Sequence, residues 1–556
     1  MPESRMAMRT FKTTTQVDFV VIGSGAAGGI VAKELSSAGF QVVVLEQGPQ
    51  YEEKDYPLDE LYYRNNHFLM TDPRSQPSTF RRTEQEKAVP ANTVSYGRCV
   101  GGGTVHYTGT STRHHEKDFI ERSIWGPISG TGFADWPLTY AELEPYYTKV
   151  EWELGFSGLA GANPFESPRS KPYPVPPMPA KSSGIIFERA ALKLGLHPFP
   201  VPIAAISQAY QGRSGCIHCG MCSGFGCTVG AKSSTANTVI PVAVKTGRCE
   251  IRTNSYVREI AVDKNGRVTG ATYFDARKRE NFQRAKAVVV CANAMETPRL
   301  LLLSKSIRYP NGLANSSGVV GKYLMFGGGG SARGTFEQPL YDYKSVQVTR
   351  MLEDFYDADS KRGFYGGGQI DGRGGVQPIA YGIGGGGSGP RWGASFKQAL
   401  KENYNYTMTL QFFSTNLPLE TNNVTLDPEL KDAWGIPAIR VTFKEHPDDM
   451  KTKAFFRERC LEILDATGAK TKSAPPPAEA RSGHLMGTCR MGDDPKTSVV
   501  DRYHRAHDVP NLFVVDGSSF VTSARNHPTC TIEALAYRAA ENMVRTAKNG
   551  EIRSSA

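Results

Sequence analysis

From Val17 to Gly48 the chain reads VDFVVIGSGAAGGIVAKELSSAGFQVVVLEQG. Two unbroken apolar runs flank a segment whose apolar residues recur at helical spacing. Runs of this kind predict parallel strands buried on both faces, with a helix between them. After Gly48 the pattern loosens into polar, proline-punctuated sequence. ADWPLTYAELEPYYTKVEWELG (134–155) predicts a turn feeding an amphipathic helix, and the proline-rich stretch 163–181 an extended surface segment. Beyond Cys249, strand-like runs surround an Asn265–Gly266 turn, and AKAVVVCANAMETPRLLLLS predicts another buried strand and helix. Residues 320–480 alternate differently, with NYTMTLQFF and IRVTF among glycine clusters at 327–330 and 384–387 that read as flexible loops. NLFVVDG and TIEALAYRAAENM predict a last buried strand and a last helix. The expected fold class is therefore α/β: a Rossmann-like unit with a second lobe on a largely antiparallel sheet.

The first unit also carries chemistry. Gly23 permits a tight turn, Gly25 lets backbone approach a pyrophosphate, and Gly28 lets helix pack on strand. The helix that starts at Ala26 turns its positive end toward the phosphates. Glu46 ends the second strand, where a carboxylate accepts hydrogen bonds from ribose hydroxyls. A carboxylate there argues against NADP and leaves FAD or NAD. GRCVGGGTVHYTGTSTR (97–113) offers backbone that can lie flat on a bulky ligand.

Composition narrows the picture. The 556 residues are 39% hydrophobic and 22% charged, a globular balance long enough for more than one lobe. The net charge of +10 is spread without dense Lys/Arg runs, which excludes a nucleic-acid face and allows docking to an acidic protein. No apolar run is long enough to span a bilayer, so no transmembrane segment is expected. The first residues lack a secretory h-region, which points to the cytoplasm, or to the periplasm if a partner carrying the signal exports the chain.

His484, in RSGHLMGTCRMGDD, and His527, in RNHPTCT, each sit in a turn of small residues beside a predicted strand or helix, which suits proton chemistry better than packing. With GSGAAG, Glu46, GRCVGGGTVHY, ADWPLTYAELEPYY, CANAMETPRLLL and VVDGSSF, these motifs make the chain resemble the glucose–methanol–choline (GMC) oxidoreductases over nearly its whole length. It looks nearest to the flavoprotein subunits of bacterial gluconate, fructose and glucoside dehydrogenases.

The resemblance implies FAD and oxidation of a CH–OH group of a sugar or polyol by hydride transfer. His484 falls on the family's base and His527 on its partner, with Asn526 as the fallback. Cofactor contacts fall on Gly23, Gly25, Ala26, Gly28 and Glu46, then on Arg98, Gly102, Gly103, Thr104 and His106. Val257, Ala292, Asp516, Gly517, Pro528 and Thr529 complete the set. His106 is where some members bond covalently to the flavin. The chain departs from the family at Phe326–Gly330, where many members have Asp-His.

The expected FAD-binding domain comprises 14–125, 210–320 and 481–548, with 126–209 an insertion or cap segment and 321–480 a substrate-binding domain. CIHCGMCSGFGC (216–227) holds four of the ten cysteines. Cys216, Cys219, Cys222 and Cys227 form a ligand pool for an iron–sulfur cluster, with structural zinc and simple packing as alternatives. A cluster would carry single electrons from flavin toward a cytochrome or other acceptor, with a small escort subunit as a further partner. The alternatives to a dehydrogenase are an alcohol oxidase reducing O2, a nicotinamide enzyme, and an electron-transfer protein without alcohol chemistry.

Overall fold

A computed structural model describes residues 10–374, 377–385, 391–480 and 483–552. The first apolar run is strand β1 (Val17–Ile22), followed by helix α1 (Ala26–Ser37) and strand β2 (Val42–Leu45). The chain returns to this sheet with β3 (Cys249–Arg252), β4 (Tyr256–Val262), β5 (Val268–Phe274) and the long β6 (Glu280–Val290). The order is β3-β2-β1-β6-β5-β4, and a late strand, Leu512–Val514, pairs with β6. β3, β2, β1, β6 and Leu512–Val514 run parallel, in register Val20↔Val43, Val20↔Val288 and Phe513↔Val289.

The first half of β6 belongs instead to an antiparallel meander with β5 and β4, so this one strand joins both patterns. At the meander's first turn Gly266 takes φ +79° and the Asp263 carboxylate accepts from the backbone N–H of Asn265 and Arg267. Helix α1 packs between the helix Val239–Lys245 and the last helix, Thr529–Lys548. Val20, Val43 and Val288 are consequently fully buried, which is why these strands read as apolar without alternation.

Residues 126–209 divide between the two lobes. Tyr140–Leu154 is the predicted amphipathic helix, started by a Thr139/Glu142 capping box. It packs on the last helix, where the Tyr147 hydroxyl meets Thr531 Oγ1 at 2.8 Å. Residues 163–181 hold no helix or strand, and Ser182–Lys193 is a helix against the second sheet.

That second sheet has six strands, every pairing antiparallel: Thr471–Ser473, Gly328–Thr335, Thr407–Ser414, Gly368–Arg373, Val348–Leu352 and Phe199–Pro200. Here alternation is clean. Met408, Leu410 and Phe412 are buried against Phe456, Ile463 and Leu464 of the helix Pro447–Thr467, each contributing about 1.5–3 kcal/mol by leaving water. Thr409, Gln411 and Phe413 point the other way, with Gln369, Asp371 and Arg373 of the neighbouring strand.

The glycine run at 327–330, expected to be a loop, is mostly strand. A Cβ on Gly330 would stand 2.5 Å from the Phe412 ring and one on Gly328 2.4 Å from Ser414 Oγ. Cross-strand crowding, not mobility, excludes side chains there. In the second cluster Gly384 and Gly385 close a helical turn, Tyr381–Gly385, whereas Gly386 and Gly387 lie outside the described residues, as do Arg481 and Ser482 of the His484 motif. Among the described residues no helix is long and apolar enough to cross a membrane.

Candidate functional site

The parallel strands end at a cavity of ≈ 360 Å³. Its floor is the turn after β1. Gly23 takes φ +92°, and a Cβ there would lie 2.5 Å from the Cys291 carbonyl. A second glycine turn crosses the first: Gly102 (φ +54°) comes so close that its Cβ would sit 2.9 Å from Gly25 Cα. Ala26, Glu46, Gly103, Thr104 and His106 continue the wall, with Val257 and Ala292 opposite. Asp516, Gly517, Pro528 and Thr529 close the far end.

Two of the expected contacts stand off this wall. Gly28 serves the turn itself, since a Cβ would meet the Gly23 carbonyl at 1.9 Å. Arg98 places its guanidinium over Trp434, 5.5 Å from the ring centre.

Two helices begin at this cavity without a side-chain cap, one at Gly25 and one at Pro528. Their free N–H groups and positive dipole ends face whatever occupies it. Glu46 is buried, which raises its pKa, while Ser24 N, Ser24 Oγ and Gly48 N donate to it and oppose that rise. His106 is half-buried, its Nε2 without a partner among the described residues, and burial takes its pKa down to about 4. Met70, Tyr96 and Glu296 also line the space, Tyr96 donating its hydroxyl proton to Glu296. Glycines stripped of space, two open helix ends and a buried carboxylate fit a dinucleotide.

His484 reaches the same cavity from a backbone with φ +32°. Gly327 makes room for it, because a Cβ there would lie 2.8 Å from His484 Nδ1. The His527 ring stands 5.3 Å from the His484 ring, and Phe413 packs on both, 5.2 Å from His484 and 4.3 Å from His527. Fully buried Gln369 turns its amide nitrogen to His527 Nδ1 at 2.9 Å, which leaves the imidazole proton on Nε2.

Arg373, four residues past Gln369 on the same strand face, pairs with Asp371 through two bonds of 2.5 and 2.8 Å. Burial, then the Arg373 cation, lowers His484 to about 4. Burial, then His484 and Arg373, takes His527 well below the usual range. Both imidazoles are therefore neutral at ordinary pH.

Asn526 is directed elsewhere. Its Nδ2 donates to the Arg113 carbonyl at 2.7 Å and to the Tyr356 hydroxyl at 3.1 Å. Gln369, Asp371, Arg373 and Phe413 escape a reading of the chain. They look like an ordinary alternating strand pair, and only the polar residue at every second place of GQIDGR hints that one face is not core.

The cysteine loop touches the cradle: Gly224 N donates to the His106 carbonyl at 2.7 Å. Cys216, Cys219, Cys222 and Cys227 all line one small cavity of ≈ 20 Å³. Yet among the described residues no three His, Cys, Asp or Glu side chains form a group that could hold a metal ion. The expected cluster does not fit this arrangement. The Lys232 ammonium enters the loop and donates to the carbonyls of Cys222 and Phe225 at 2.5 and 2.9 Å, and Cys219 is exposed. All four thiols are free of disulfides, and burial pushes Cys216 up to about 11.

Residues 17–325 and 418–536 match the two sequence models described as GMC oxidoreductase, and the chain belongs to that family. It is similar to 2-methyl-1,2-propanediol dehydrogenase of Mycolicibacterium austroafricanum, 37% identical over 95% of each chain. It is also similar to the gluconate 2-dehydrogenase flavoprotein of Pantoea cypripedii, 30% identical over 95% of this chain and 93% of that one. The Aspergillus oryzae formate oxidase, whose structure was solved in a study of FAD modification, shares the fold with TM-score 0.61 at 16% identity, covering 98% of this chain and 100% of that one. The cofactor that this cavity fits is FAD.

The depressed histidine gives a pH prediction. A base with a pKa of about 4 stays unprotonated at neutral pH, so substrate-driven flavin reduction keeps its rate down to pH 5 and falls as pH drops through about 4. Stability falls in the same direction but sooner. His106, His114 and His484 are all lowered to about 4, so the unfolded chain binds more protons than the folded one once pH falls below about 6.5. Rates are therefore read by a brief pH jump in a stopped-flow instrument. An acid limb centred near the ordinary histidine value would contradict the geometry.

Proposed function

With membership of that family as the premise, we propose that the protein oxidises a CH–OH group of a sugar or sugar derivative and delivers the electrons to a separate acceptor. The observation that carries this reading is the neutral His484–His527 pair, 5.3 Å apart, where the dinucleotide cavity meets the polar face of the second sheet.

FAD, when bound, supplies the ring that takes hydride from the alcohol carbon. His484 accepts the hydroxyl proton as that hydride leaves, a contribution of about 10²–10⁴-fold. His527, its proton held on Nε2 by Gln369, donates to the same oxygen and stabilises the charge that develops there. The alcohol thereby loses one hydride and one proton and becomes a carbonyl. Gln411, Asp371 and Arg373 beside the pair support a hydroxyl-rich substrate over an aliphatic chain. So do the gluconate and diol named for the two relatives. The +10 charge supports an acidic protein, a cytochrome or escort subunit, as acceptor partner. No electron-transfer step is assigned to the cysteine loop.

A covalent bond between His106 and the flavin is supported by its unpartnered, neutral Nε2 in the cradle wall. Colour should then stay with the pellet on acid precipitation; complete release into the supernatant would rule the bond out. For the reaction itself, purified protein is mixed anaerobically with free sugars, glycosides, aldonates and short diols, then with a dye acceptor. Fastest flavin bleaching by a hydroxylated ring is expected. Preference for long-chain alcohols or sterols would overturn the substrate class.

A further inference from the structure

The Gln369–His527 bond is made where two short segments meet, and one side chain lies against the root of both. Arg525 stands two residues before His527 and is only 2% exposed. On the other side, a Cβ on Gly367 would stand 2.9 Å from Arg525 Nε and 1.9 Å from the Tyr356 carbonyl oxygen. Gly367 lies two residues before Gln369, where the chain enters the strand Gly368–Arg373. Bare backbone at Gly367 is what lets this strand close on the guanidinium.

Arg525 is itself held from several directions. Its Nη1 donates to Asp118 at 2.7 Å and its Nη2 pairs with Glu121, both carboxylates being buried. The guanidinium carbon lies 5.5 Å from the Tyr356 ring centre and 5.8 Å from that of Tyr365. The Tyr356 hydroxyl donates to Asp118 at 2.6 Å, and the Tyr365 hydroxyl to Glu121 at 2.6 Å. Tyr356 also accepts from Nδ2 of Asn526, the neighbour of His527, at 3.1 Å. A planar fork reaches two carboxylates at once, whereas an ammonium is a point charge that cannot keep this geometry.

The groups gathered here come from three parts of the chain. Asp118 and Glu121 belong to the short helical turns 116–125, and Tyr356 and Tyr365 lie between two strands of the second sheet. Arg525 comes from the turn that carries His527. It does not line the dinucleotide cavity, so its effect on the reaction passes through its neighbours.

We propose that Arg525 is a positioning residue: by holding the roots of Gln369 and His527 together, it keeps His527 Nε2 aimed at the substrate oxygen. A misplacement of about 1 Å in such a group costs up to about 10²-fold in rate. The proposal rests on the reading of function above.

The test is a double-mutant cycle on the holoenzyme: wild type, Arg525→Lys, Gln369→Leu and the double variant, each read by anaerobic reduction per bound flavin. Two residues that act through one bond give non-additive effects. Arg525→Lys is expected to slow reduction about tenfold alone and less than about twofold beside Gln369→Leu, with substrate affinity and flavin spectrum unchanged. Tyr356→Phe removes one hydroxyl and no charge. In the same cycle it should slow reduction about threefold, again only where Gln369 is present, and it decides the matter if Arg525→Lys does not retain flavin. Equal slowing with and without Gln369, weaker substrate binding alone, or a lower melting temperature with reduction unchanged would make Arg525 a structural ion pair and overturn the proposal. A wild-type flavin that no alcohol or sugar reduces would overturn the reading of function, and this role with it.

Discussion

A hydrogen bond joins the two lobes at the candidate site: the Gln369 amide to His527 Nδ1, 2.9 Å long and closed to water. Gln369 belongs to the antiparallel sheet and His527 to the turn before the last helix of the nucleotide lobe, so the bond crosses between the lobes as it sets the ring's tautomer. Strand alternation then leaves little choice. If Gln369 faces His527, Asp371 and Arg373 must face the same way, and their ion pair lies beside both imidazoles. The guanidinium opposes protonation of either ring, while Asp371 spares the protein an uncompensated buried cation. Two neutral imidazoles side by side are the result.

The approach of the lobes is made possible by missing side chains. Gly327 leaves the space that His484 fills, and Gly328 and Gly330 let their strand close on Ser414 and Phe412. On the other side, Gly25 and Gly102 let two turns cross over the dinucleotide cavity. Substitution at any of these points does more than strain a turn; it separates surfaces that must touch for cofactor and histidines to share one cavity.

How much of this is legible in the chain follows from distance along it. The nucleotide cradle is legible because its strand, glycines, helix and carboxylate lie within residues 17–48 and interact locally. The antiparallel character of the second sheet shows in the alternation of NYTMTLQFF. His484 and His527 stand out locally by their small-residue turns, but the roles expected of them come only through resemblance to a family. Gln369 stays hidden, since its partner is 158 residues away. The glycine run misleads for the same cause: the groups that exclude its side chains sit on another strand. Cysteine spacing describes a possible ligand set but not where a neighbouring Lys232 will place its ammonium.

The central claim, that His484 removes the substrate proton, is tested most directly by anaerobic stopped-flow reduction of the flavin in His484→Ala, at saturating substrate and with flavin content matched to the wild type. The account predicts a reduction rate lower by about 10²–10⁴-fold, with the flavin absorbance spectrum unchanged. A variant that reduces its flavin as fast as the wild type would contradict it.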